Sequence, residues 1–343
     1  MRTFVIAEAG VNHNGREDLA LRLVEAAADC GATAVKFQTF SAERLVRRGA
    51  PAAGYQQANT GIVDQFELLK SLELGAASHE RIVRRCEDLG IEFMSTPFDV
   101  ESAEFLRELG MILFKVPSGE LTNEPFLAHL AAFGKPLIVS TGMADMSEIV
   151  RAIEVVQNAR TGCGLAPATG DELSVLHCTS NYPAELADVN LRAMQSIAQA
   201  TGMPVGYSDH TAGILVAPVA VAMGAQIIEK HFTLDRDMPG PDHKASLTIP
   251  ELRAMIAAIA DVETALGSNI KAPTPSEEPV RQLVRRSVVS ARDLAPGEVL
   301  SLDDVVLLRP GDGIPPRQLA DIVGMRLRRE VPAGTTLVWD DLE

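Results

Sequence analysis

Two short segments, Ser208-Asp209-His210 and Glu229-Lys230-His231, each set a histidine just past an apolar run. Pro204-Val205-Gly206-Tyr207 and Ala225-Gln226-Ile227-Ile228 read as extended strands, and the Ala-rich stretch from Gly213 to Met223 between them reads as a crossover helix. One β-α-β unit of this kind puts His210 and His231 side by side at the carboxyl edge of a parallel sheet, where α/β proteins bind ligands. Asp209 and Glu229 lie beside them and no cysteine is near in sequence, so a metal held there takes nitrogen and oxygen ligands. Two imidazoles with open positions suit six-coordinate Mn²⁺ or Mg²⁺, while zinc with a third protein ligand stays open.

The other candidate strand ends carry Glu8, Lys36 with Gln38, Thr96, Lys115 with Ser118, Ser140, and Ser180 with Tyr182; the two histidine strands add Ser208 and Glu229. A strand buried on both faces ends in apolar or turn residues unless something polar binds there, because an unpaired buried charge costs several kcal/mol. Lys36 and Lys115 interrupt apolar sequence (Ala-Val-Lys-Phe and Leu-Phe-Lys-Val), and compact cations beside hydroxyls of Thr96, Ser118, Ser140 and Ser208 suit a phosphate or carboxylate. Two other uses of the lysines are open: pairing with a glutamate such as Glu8 or Glu120, or Schiff-base formation as in a class I aldolase. His13, His129 and His177 read as hydrogen-bonded core residues.

Strands at 4–8, 34–40, 91–96, 111–117, 136–140, 173–179, 204–208 and 225–231 must position these groups. Helical patterns run over Asp18 to Cys30, Ser78 to Leu89, Val100 to Leu109, Ser147 to Asn158, Leu191 to Ala200 and Pro250 to Leu266. Eight β-α units predict a TIM (β/α)8 barrel with its site where the strands end. An open doubly wound sheet is the alternative, but Gly10 and Gly15 do not form the Gly-rich fingerprint it needs. Residues 1–266 form the barrel on this reading. Pro273, Pro275 and Pro279 mark 267–285 as an extended linker, and 286–343 form a small β-rich module with turns at Pro296-Gly297, Pro310-Gly311 and Ala333-Gly334. Fewer than about 60 residues make a marginal core, so the module is expected to lean on another surface.

The 343 residues are 46% hydrophobic with a formal charge of −15. That balance, without a basic run, argues against nucleic acid or an anionic membrane as partner. Strand-like residues from Phe4 leave no room for a signal peptide, and the longest apolar stretch is broken by Pro218, Gly224 and Gln226. Cys30, Cys86, Cys163 and Cys178 have no paired or metal-ligand spacing and read as reduced, buried thiols, so a cytoplasmic protein is expected.

The chain resembles the sialic acid synthases and the related legionaminic and pseudaminic acid synthases over its whole length. The likeness rests on Ala7-Glu8-Ala9-Gly10-Val11-Asn12-His13-Asn14-Gly15, Lys36-Phe37-Gln38-Thr39, Ser95-Thr96-Pro97-Phe98-Asp99, Pro117-Ser118-Gly119-Glu120, Ser140-Thr141-Gly142-Met143, Ser208-Asp209-His210-Thr211, Glu229-Lys230-His231-Phe232 and Gly240-Pro241-Asp242-His243, in order. The terminal module resembles the antifreeze-like (SAF) domain, with Arg309-Pro310-Gly311 as its turn. The resemblance implies condensation of phosphoenolpyruvate with an open-chain N-acetylated amino sugar, releasing phosphate by C–O cleavage. It implies that His210 and His231 hold the divalent metal as a Lewis acid toward the aldehyde, with Glu8 serving the proton and water steps. Lys36, Thr96, Lys115, Ser118, Ser140 and Ser208 would grip phosphoenolpyruvate, with Gln38, Glu120, Tyr182 and Asp242 toward the sugar.

The resemblance further implies that Arg309 reaches a neighbour's site in a domain-swapped homodimer. Ser180-Asn181 departs from one sialic acid synthase branch, which has asparagine first and an apolar residue second. Gly240 to Ser246 looks more like the sialic and legionaminic branches than the pseudaminic one. N-acetylneuraminate synthase is the expected activity, with N,N'-diacetyllegionaminate synthase as the alternative; a Schiff-base lyase and a non-catalytic carbohydrate-binding protein are the more remote ones.

Overall fold

The computed structural model describes residues 2–343, which divide between Gly267 and Ser268 into two compact units. In the first, all eight expected strands form: β1 (Phe4–Gly10), β2 (Ala34–Thr39), β3 (Glu92–Pro97), β4 (Phe114–Val116), β5 (Leu137–Ser140), β6 (Leu173–Cys178), β7 (Val205–Asp209) and β8 (Ile227–His231). The pairs are parallel in the order β3-β2-β1-β8-β7-β6-β5-β4, and β3 packs beside β4 to complete a barrel. That is the TIM-barrel class the eight units predict.

Short apolar runs become strands here because both of their faces are covered. Ile6, Ala34, Met94, Ile138, Leu176 and Ile227 form an apolar layer inside the barrel, while alternate residues such as Val5, Val35, Val139 and Ile228 pack under the helices. The interior leaves little room at Gly206, where an added Cβ would stand 2.5 Å from the Ile227 carbonyl oxygen and 2.6 Å from Leu176 Cδ2.

The outer helices are Glu17–Cys30, Ala76–Leu89, Val100–Glu108, Glu124–Ala132, Met146–Gly162, Ala193–Thr201, Val216–Ala222 and Ile249–Leu266. Glu124–Ala132 was not among the expected helices; Asn123 caps it, and it buries Phe126, Leu127, Leu130 and Ala131. A further departure lies between β2 and Ala76. Three short helices, Ala42–Leu45, Gly54–Thr60 and Gln65–Lys70, occupy this insertion, and Ala52, Leu68 and Leu72 pack there with Val11 and Phe40.

In the second unit the expected linker is not wholly extended, since Glu278–Val284 is helical with a proline in its first turn, a position that needs no backbone N–H donor. Strands β9 (Ser287–Ser290) and β10 (Val305–Leu308) pair antiparallel. The unit has its own core, including Val288, Leu300, Ile322, Leu327 and Leu337. Cys30, Cys86 and Cys178 are buried free thiols, but Cys163 is exposed, against the expectation of four buried ones. Among the described residues no helix is long and apolar enough to cross a membrane.

Candidate active site

Side chains two apart on a strand share a face. Counting two residues on from each member of the apolar barrel layer gives Glu8, Lys36, Thr96, Ser140, Cys178 and Glu229, and all six line one cavity of about 470 Å³. Leu113 and Gly206 lead in the same way to Lys115 and Ser208, which complete the tier. Four residues on lie Gln38, Phe98, Ser180, His210 and His231, nearer the mouth. The polar ring is therefore the next two layers of the barrel interior at its carboxyl end. Asp209 and Lys230 have the opposite parity and are absent from this lining.

Two cations and two anions share the lower tier. Lys36 Nζ stands 2.7 Å from Glu8 Oε2 and 3.6 Å from Glu229 Oε2, and donates to Thr96 Oγ1 at 2.9 Å. Lys115 Nζ is 3.5 Å from Glu229 Oε1, which accepts from Ser208 Oγ at 2.9 Å. The lysines thus meet carboxylates, with Glu8 and Glu229 as partners in place of Glu120. Burial pushes the Glu8 carboxyl from the usual 4.5 to about 7 against the pull of Lys36. For Glu229, burial is outweighed by Lys115 and Lys36, which hold it at about 2. Glu229 therefore keeps its charge while Glu8 carries a proton into the neutral range. Burial lowers the Lys115 pKa, whereas for Lys36 the opposing pull of Glu229 and Glu8 wins and raises it. Ser140 Oγ is buried without a hydrogen-bond partner, and Ser118 Oγ accepts from the Gly142 N–H at 2.9 Å.

At the mouth, the His210 and His231 ring centroids lie 5.5 Å apart. His210 Nδ1 is 2.8 Å from the Thr179 carbonyl oxygen, so it carries the proton and leaves Nε2 with a free lone pair. His231 Nδ1 is buried without a hydrogen-bond partner, and burial, aided by His210 and Lys36, drives its pKa well below the usual value and keeps the ring neutral. For His210 burial is outweighed by the contacts with Cys178 and Thr179, which raise its pKa, so the pair fits a divalent ion that would displace a proton at His210. Asp242 Oδ2 is 4.0 Å from His231 Nδ1, and burial lifts its carboxyl to about 6. Among the described residues no group of three or more His, Cys, Asp or Glu side chains is placed to hold a metal ion. Tyr182 packs on both rings, with centroids 4.2 Å from His210 and 5.7 Å from His231.

The cavity gathers Glu8, Lys36, Gln38, Thr96, Lys115, Ser118, Ser140, Ser180, Tyr182, Ser208, His210 and His231. Glu120 does not line the cavity, and its Oε2 accepts from Asn123 Nδ2 at 2.7 Å. Asp242 stands behind His231 outside the lining. Arg309 belongs to the second unit, where it is exposed after β10. Of the Ser180-Asn181 pair, Ser180 lines the cavity while Asn181 Oδ1 accepts from the Tyr182 N–H at 3.1 Å.

The sequence reading placed Glu229 at a strand end without giving it a role, and omitted Cys178 and the insertion's Tyr55, Gln56 and Gln65. Strand parity from His231 and Ser180 would have found Glu229 and Cys178. Tyr55 stacks on Tyr182 at 5.4 Å, a contact that no local pattern announces. A groove of about 540 Å³ on the second unit, lined by Lys271, Pro273, Val280 and Arg285 among others, gathers no comparable buried polar set.

Fold and site define a parallel (β/α)8 barrel with a buried polar chamber at its carboxyl end, joined to a small β-rich unit. The chain belongs to the NeuB family: residues 23–271 match the NeuB family model and 285–343 match the SAF domain. It is 51% identical to the N,N'-diacetyllegionaminic acid synthase of Legionella pneumophila, over 100% of this chain and 95% of the relative. Identity to the Campylobacter jejuni N,N'-diacetyllegionaminic acid synthase is 44%, over 94% of this chain and 95% of the relative. Among solved structures, the N-acetylneuraminic acid (sialic acid) synthetase of Leptospira borgpetersenii matches with a TM-score of 0.70 at 34% identity, covering 82% of this chain and 90% of that one.

Proposed function

We propose that the chain is an N,N'-diacetyllegionaminic acid synthase, condensing phosphoenolpyruvate with a 2,4-diacetamido-2,4,6-trideoxy sugar in its open-chain form. The observation that carries the choice of acceptor is the 51% end-to-end identity to the Legionella synthase. It favours the diacetamido sugar over the N-acetylmannosamine expected from the sequence. N-acetylmannosamine is the second reading, supported by the likeness to the Leptospira synthetase.

Lys36 and Lys115, with Thr96, Ser118, Ser140 and Ser208, supply cations and hydroxyls for an anion carrying phosphate and carboxylate. Such a trianion exchanges one set of negative partners for another at the lysines, so the buried cations stay compensated when it binds. His210 and His231 would hold Mn²⁺ or Mg²⁺, which when bound supplies Lewis-acid polarisation of the sugar aldehyde. Gln38, Tyr182 and Asp242 lie toward the sugar in this reading. Carbon 3 of the enol attacks the aldehyde, water adds at carbon 2, and the tetrahedral intermediate expels phosphate by C–O cleavage. Glu8, titrating near neutrality beside Lys36, is suited to take the proton from that water. The Arg309 guanidinium is assigned to the acceptor bound by a neighbouring copy in a homodimer. Phosphoenolpyruvate labelled with ¹⁸O in the bridging position tests the reaction: the label is expected in phosphate, and label kept in the keto acid would refute the bond assignment.

A further inference from the structure

Among the described residues, the one fully buried lysine of the barrel outside the chamber, Lys230, lies directly before His231. Lys230 and Asp209 face each other across β8 and β7, both about 1% exposed, on the side of the sheet that packs under the helices. Lys230 Nζ is 2.9 Å from Asp209 Oδ2 and donates to the Thr211 carbonyl oxygen at 2.5 Å. Asp209 Oδ1 accepts from both the N–H and the hydroxyl of Thr211, at 2.9 and 2.7 Å. The residues immediately before and after His210 are thus tied to the residue immediately before His231. A dry ion pair of this kind adds little net stability compared with apolar side chains of the same shape, because desolvation offsets most of the attraction. Its directional bonds do limit how far the two strand ends can slide or rotate. The same three residues hold β7 beyond its last ladder position, where His210 turns its ring over the chamber.

We propose that Asp209 and Lys230, with Thr211, are positioning residues that set the separation and tilt of the His210 and His231 rings for one shared divalent cation. The inference rests on reading those histidines as a metal pair. Neither residue touches substrate or metal; they act through the backbone of the strand ends. Loss of the tether widens the ring spacing and weakens cation binding, and it leaves the lysine and hydroxyl tier around Lys36 and Lys115 as it was.

The test is the double variant Asp209→Asn/Lys230→Met in the full chain, which removes both charges and nearly keeps shape. Mn²⁺ affinity is read by electron paramagnetic resonance of free Mn²⁺, and phosphoenolpyruvate affinity by calorimetry in metal-free buffer. At least a tenfold loss of Mn²⁺ affinity is expected, with phosphoenolpyruvate affinity changed less than twofold. A folded double variant that binds Mn²⁺ within twofold of wild type overturns the tether alone. Equal losses for both ligands also overturn it, since they mean general damage to the barrel mouth. Wild-type protein that binds no Mn²⁺ overturns the metal reading itself and the tether's task with it. Should the double variant not fold, Asp209→Asn decides by the same readouts: at least a threefold selective loss of Mn²⁺ affinity supports the tether, and a smaller or unselective one overturns it.

Discussion

Replacing Glu8 by glutamine isolates the chamber carboxyl that burial lifts to about 7. Its pKa moves from the usual 4.5 to about 7 because burial penalises the anion more than Lys36 at 2.7 Å favours it. A carboxyl with a folded-state pKa above its unfolded one stabilises the fold fully below about 4.5 and loses that contribution as pH rises through about 7. Between pH 5.5 and 8 the wild-type protein therefore surrenders about 2 kcal/mol at this position, which Glu8→Gln does not. The stability of the variant relative to wild type should climb by that amount across the window, a Tm difference of about 4–8 °C for a domain of this size. Denaturant titrations of both proteins at the two pH values measure it. The same variant should lose roughly 10²–10⁴ in kcat and the acid limb of its pH–rate profile, as expected when a general base is removed. A stability difference that is flat or falls with rising pH would refute the assignment of a near-neutral proton to Glu8.

Other outcomes follow from the same geometry. Lys115→Met removes a buried cation whose carboxylate neighbour is 3.5 Å away, and the KM for phosphoenolpyruvate should rise about 10–100-fold, the worth of one charge-assisted contact; an unchanged KM contradicts the anion tier. Gly206→Ala pushes a methyl to 2.5 Å from the Ile227 carbonyl oxygen, so unfolding free energy should fall by about 1–3 kcal/mol or more, as overpacking of a closed barrel interior demands; wild-type stability would contradict the tight approach. Mixing inactive Arg309→Ala with inactive His231→Ala should restore activity in mixed dimers if Arg309 serves a neighbour's site, and no recovery contradicts the shared site.

The barrel was legible because eight apolar runs recur at the spacing of β-α units, and such runs become strands when buried on both faces. Most of the chamber was legible for a related reason: a lysine or glutamate inside an apolar run, such as Lys36 or Lys115, stands out. Glu229 was treated as a neighbour of His231 when it shares the same inward face two residues away, where it meets both lysines. Glu120 lies outside the lining because a motif gives a residue's position but not its rotamer, and its carboxylate bonds Asn123. The insertion that brings Tyr55 and Gln65 to the chamber has helices of only four to seven residues, too short for a helical period to show. The helix Glu278–Val284 was hidden by a Pro-rich setting, although Pro279 occupies a first-turn position that a helix accepts.

The most direct test of the proposed activity is a side-by-side measurement of kcat/KM with saturating phosphoenolpyruvate and Mn²⁺, offering the 2,4-diacetamido-2,4,6-trideoxy sugar against N-acetylmannosamine. The diacetamido sugar should be preferred by at least tenfold, with one phosphate released per nine-carbon keto acid formed. Preference for N-acetylmannosamine would move the chain to the sialic acid branch, and no phosphate release with either sugar would contradict the condensation itself.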